Sequence, residues 1–213
     1  MTPSFVYSAV VVPCTVVVPL AVGIYRYKAL RPPARFLFYY LVFGGLTDAV
    51  ATYTAHHRIN NLWLLHTYTA VETVLLLWFY RLILREAWYR RVIPFLMVAF
   101  PLFCTANILW WQSMKRFNTY TRPVEALLLM YLGIVYFFET SHAAVDTKDG
   151  SRLGLSWMNA GLLLYFSLSF FIFIFYNYLV QGQAFAALMM ILGATFELIL
   201  YMLCAVGFYK CRR

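Results

Sequence analysis

Apolar residues along this chain gather into seven long stretches, at approximately 4–25, 36–55, 62–84, 92–111, 120–140, 155–180 and 184–208. Each matches the ~20 residues an α-helix needs to cross a hydrocarbon layer of ~30 Å. The intervening segments carry turn and charge signals: Arg31-Pro32-Pro33, Asn60-Asn61, Asp149-Gly150 and Gln181-Gly182-Gln183. The pattern predicts an all-α, polytopic membrane protein of seven transmembrane helices, with residues 1–213 forming a single transmembrane domain. No stretch between the helices has the length of a folded extramembrane module.

Composition agrees with this. Of 213 residues, 63% are hydrophobic and 12% charged, whereas a soluble domain is nearer half apolar and a quarter charged. Such a chain has too little polar surface to cover itself in water. Aromatic residues make up 20%, consistent with Trp and Tyr collecting at lipid headgroups. The formal net charge of +9 does not point to nucleic acid, because the basic residues lie in short segments between apolar ones.

The same charges set an expected orientation. The first, third and fifth loops with the tail hold Arg26, Lys28, Arg31, Arg35, Arg81, Arg85, Arg90, Arg91, Lys148, Arg152, Lys210, Arg212 and Arg213. The opposite side holds Arg58, Lys115, Arg116 and Arg122. Thirteen against four places the first set in the cytosol, the N-terminus outside and the C-terminus inside, most naturally in a plasma (inner) membrane. The first positive charge is Arg26, so the charged leader of a cleavable signal is missing and the first apolar stretch is expected to be retained.

Prolines at 13 and 19 in the first helix, and at 94 and 101 in the fourth, are expected to bend those helices. Each removes a backbone donor and crowds the preceding turn. The third, fifth and seventh helices each place a glutamate ahead of an aliphatic run (Glu72, Glu125, Glu197), the outline of a weak internal repeat.

Candidate chemistry rests on acids inside the apolar stretches. An ionised carboxylate in hydrocarbon costs roughly 3 kcal/mol, so such groups turn toward protein or a wet cavity. Asp48, Glu72, Glu125 and Glu197 all have this setting. At ~1.5 Å of rise per residue, Glu125 is shallow, Asp48 intermediate, and Glu72 and Glu197 close to the midplane. Asp48 shares a helix face with Gly44, Gly45 and Thr52, and Glu197 with Gly193, Ala194 and Tyr201. Small residues permit close helix approach, so both acids should face neighbouring helices. Asn107, Asn177 and His66 add polar groups near the outer ends of helices four, six and three. His66 stands about a third of a turn from Glu72 and need not share its site.

Several chemistries are excluded. The lysines are Lys28, Lys115, Lys148 and Lys210, none in an apolar core, so a retinal Schiff base has no attachment point. Phosphate-binding glycine loops, Gly-x-Ser-x-Gly and His-Glu-x-x-His motifs are absent from the sequence. The four cysteines show no metal-site spacing. The expectation is therefore a small transporter or ion/proton pathway. Its outward-facing cavity would be lined by Asp48, Glu72, Glu125 and Glu197, with His66, Asn107 and Asn177 as accessories, and would take a small cation or cationic solute. Two alternatives stay open: a receptor or accessory protein binding an external ligand, and an intramembrane, lipid-directed metal enzyme. A homo-oligomer or a partner subunit is compatible with each.

Overall fold

A computed structural model describes residues 6–142, 150–175 and 183–211. Seven helices among them are long and apolar enough to span a membrane, and the protein is an integral membrane protein of the all-α class. We number them α1 (Tyr7–Ala29), α2 (Pro32–His56), α3 (Leu62–Ile83), α4 (Ala87–Trp111), α5 (Thr121–His142), α6 (Gly150–Ile174) and α7 (Gln183–Lys210). Every described element is helical.

The helix ends follow local chemistry. Helix α2 starts at Pro32, earlier than its apolar run, because proline's fixed φ suits a first helical position whose N–H has no intrahelical partner. Helix α4 starts at Ala87, taking Trp88, Tyr89, Arg90 and Arg91 into its first turns. An aromatic and basic turn of this kind suits a membrane interface, where rings and cations reach headgroups. Helix α6 is described as far as Ile174, and the remainder of its expected span lies outside the described residues.

The prolines act unequally. In α1, π-helical turns over Tyr7–Val11 lead to a short α segment, Val12–Cys14, and regular α-helix resumes at Val17. At the interruption, the Thr15 hydroxyl donates to the Val12 carbonyl at 2.5 Å. The Thr15 amide divides between the carbonyls of Val11 and Val12. Pro13 lies within this interruption, whereas Pro19 lies in regular helix. Pro94 and Pro101 both sit inside an α-helix that continues to Ala106 before a π-helical end, Asn107–Trp111.

Packing arranges six helices in a closed ring, in the order α1, α2, α3, α5, α6, α7, with α4 outside it against α3. The α6–α7 contact is the most extensive, and glycine explains how close it is. A Cβ on Gly154 would fall 2.6 Å from the Gly207 carbonyl oxygen, and one on Gly207 would fall 2.8 Å from that of Gly154. Small residues at such a crossing let two backbones touch. At the end of the ring opposite the α2–α3 connection the core is apolar, built on Leu37, Leu76, Phe79, Met158 and Phe208. A buried polar knot there joins α3, α5 and α6: Tyr80 donates to Asn159 Oδ1 at 3.0 Å, and Asn159 donates to the Gly133 carbonyl at 3.0 Å.

Candidate functional site

The ring leaves space toward its other end. A cavity of ≈ 340 Å³ lies between α2, α3, α5, α6 and α7. Its wall includes Tyr40, Gly44, Thr47 and Asp48 of α2, Leu65 and Tyr68 of α3, Arg122 of α5, Tyr165 and Phe173 of α6, and Glu197 and Tyr201 of α7. The lining extends to Asn61 and Leu62, so the cavity reaches the α2–α3 connection.

The four acids divide into two pairs. Glu72 and Glu125, each wholly buried, both bind Nη1 of Arg122, itself 2% exposed. The Arg122–Glu125 contact is 2.6 Å, and an Arg122–Glu72 ion pair completes the triad. Hydroxyls fill much of what remains. Tyr40 and Tyr68 donate to Glu72 Oε1 at 2.7 and 3.1 Å, and Thr73 donates to Glu125 Oε1 at 2.6 Å. Arg122 also donates through Nη2 to the Tyr165 hydroxyl at 3.1 Å. The rings of Tyr68, Phe166 and Phe173 lie 5.8, 5.7 and 5.4 Å from its guanidinium carbon. Two carboxylates converge on one guanidinium, a geometry that answers the desolvation of buried charge only when donors meet the remaining lone pairs.

Local structure holds Arg122 in place. Asn118 Oδ1 accepts the amide of Thr121 at 3.2 Å and its hydroxyl at 2.7 Å, closing the incoming loop onto the first turn of α5. Asn118 donates in turn to Thr69 of α3 at 3.3 Å. The sequence places Arg122 with the outer charges Arg58, Lys115 and Arg116. It belongs to the interior, because Glu125 one turn along and Glu72 on α3 supply the counter-charge a loop position would lack.

Asp48 of α2 and Glu197 of α7 form the other pair, both in the cavity wall. Glu197 accepts from Tyr201 at 2.7 Å. Asp48 has no hydrogen-bond or ion-pair partner among the described residues. Neither acid forms an ion pair among the described residues, and Arg122, in the same cavity wall, is paired with Glu72 and Glu125.

The remaining residues singled out from sequence lie elsewhere. His66, 2% exposed, bonds through Nε2 to the Arg116 carbonyl at 3.0 Å. Buried Asn107 contacts Gln112 at 3.4 Å, and Gln112 donates onward to the Phe117 carbonyl and the Thr119 hydroxyl. Both therefore pin the α4–α5 connection rather than line the cavity. Asn177 lies outside the described residues. Among the described residues, no group of three or more His, Cys, Asp or Glu side chains has the arrangement of a metal site.

Tyr68, on the same face as Glu72, and Tyr165, in the aromatic-rich sixth stretch, are visible in the sequence, whereas Tyr40 and Asn118 are not. In a chain with 17 tyrosines, nothing local marks Tyr40, whose carboxylate partner Glu72 lies 32 positions away on another helix. Compared with family models, with curated proteins and with solved structures, the chain shows no match to any of the three.

Proposed function

We propose that this protein binds an organic cation in the ring cavity and carries it across the membrane, with Asp48 and Glu197 as the charged contacts. The observation that carries this reading is the division of the acids. Glu72 and Glu125 bond the Arg122 guanidinium, whereas Asp48 and Glu197 line the cavity with no ion pair of their own among the described residues. An anionic group kept in a membrane interior without a cationic partner leaves that role to a ligand.

Size and lining favour an organic cation over a bare metal ion. A volume of ≈ 340 Å³ falls in the range of small-molecule pockets and is roughly ten times a water's share of liquid. Five rings, from Tyr40, Tyr68, Tyr165, Phe173 and Tyr201, stand around it, and aromatic faces beside carboxylates suit an alkylated ammonium. Counting formal charges, Asp48 and Glu197 against Arg122 leave −1 on the cavity wall. Loop charge puts the α2–α3 end outside, so the cavity faces outward in this reading. The interrupted α1 resembles the discontinuous helices on which alternating access often turns.

Flux in proteoliposomes tests it. Tetraethylammonium uptake is expected in wild-type vesicles and at least tenfold lower in an Asp48→Asn, Glu197→Gln double variant. Equal uptake by the two would overturn the assignment.

A further inference from the structure

The unpartnered carboxylate of Asp48 borders two spaces. One is the ring cavity. The other is a groove of ≈ 670 Å³ between α1 and α2, whose floor and sides include Ala9, Pro13 and Cys14 of α1 and Ala49 and Thr52 of α2. The groove exists for local reasons. Helix α1 loses its regular course around Pro13, and the side chains of α2 that face it are short as far as Thr52, with Tyr53 and His56 closing the end toward the α2–α3 connection. Beyond this stretch the helices come together again, where Gly45 leaves room for Val16 (a Cβ there would meet Val16 at 3.3 Å). Cys14 and Ala49 are exposed, and in a chain that spans the membrane an exposed face at this depth meets acyl chains.

We infer that the ligand is an amphiphilic ammonium: its charged head lies at Asp48 in the ring cavity and its apolar tail runs out along the α1–α2 groove into the bilayer. This rests on the cation-binding reading above and adds the substrate class and the path. Charge complementarity commits the groove to this occupant. A bulk lipid tail would satisfy its apolar wall and leave Asp48 unmatched, whereas a cation with a tail matches both. Approach from the bilayer also lets the tail remain out of water throughout, while the head exchanges the headgroup layer for a carboxylate among aromatic rings.

Two probes against one groove variant test this in lipid nanodiscs, with tetramethylammonium and decyltrimethylammonium titrated separately. Titrated from water and corrected for uptake by protein-free nanodiscs, wild-type protein is expected to bind the decyl probe at least tenfold more tightly than the short one, against about three- to fourfold for each methylene fully transferred from water. Ala49→Phe fills the groove from an exposed position outside the ring cavity. It should abolish the decyl advantage and leave tetramethylammonium affinity within twofold. Thr52→Leu, one turn nearer the helix end, should act in the same direction and covers the event that Ala49→Phe misfolds. If the decyl advantage is absent in wild type, or survives in both folded variants, the groove holds only bulk acyl chains and the inference fails while cavity binding stands. If wild-type protein binds neither probe, both readings fall.

Discussion

Glu72 and Asp48 are carboxylates on adjacent membrane helices, and their surroundings are opposite. Around Glu72, one guanidinium and two tyrosine hydroxyls meet the acid, and α3 and α5 are joined through it. Around Asp48, no donor among the described residues meets the acid, and two cavities open beside it. An intramembrane acid on its own therefore says little. A carboxylate whose charge is answered within the fold contributes structure, and one whose charge is left unanswered is available to a ligand.

Breaking the closed side should have the largest effect. Arg122→Met leaves Glu72 and Glu125 side by side without their cation, and is expected to lower unfolding stability by about 3–5 kcal/mol, read from denaturant unfolding in mixed micelles. Adding Glu72→Gln and Glu125→Gln to Arg122→Met should recover much of that loss. Such non-additivity marks an ion network rather than independent contacts. Tyr40→Phe removes one donor to Glu72 and should cost about 1 kcal/mol in the same assay. Asp48→Asn should fall within about 0.5 kcal/mol of wild type, as for changes away from packed or paired groups, while weakening tetraethylammonium binding at least tenfold.

The architecture was legible because it depends on bulk apolarity and length, which each stretch carries within itself. The site was legible only in part. All four acids stood out, since a charge inside an apolar run is visible one residue at a time. Their division into pairs was not, because it turns on Arg122. Read linearly, that residue counts among the outer charges at the start of the fifth stretch, with Glu125 as the one acid beside it. Only packing of α5 against α3 brings Glu72, 50 positions away, onto its guanidinium. The apparent repeat of Glu72, Glu125 and Glu197 shows the same gap between pattern and environment. Two of these acids share one arginine, and the third bonds a tyrosine on its own helix. Glu139 and His142 also look like a local pair in sequence. Instead Glu139 accepts the amides of Arg85 and Glu86, and His142 bonds the Phe138 carbonyl and the Ser141 hydroxyl.

The most direct measurement sets binding and stability side by side in one pair of proteins: tetraethylammonium affinity by calorimetry in nanodiscs, and unfolding stability, for wild type and for Asp48→Asn, Glu197→Gln. The account predicts a double variant that unfolds within about 1 kcal/mol of wild type and binds the cation at least a hundredfold more weakly. A double variant that keeps wild-type affinity, or one as destabilised as Arg122→Met, would contradict it.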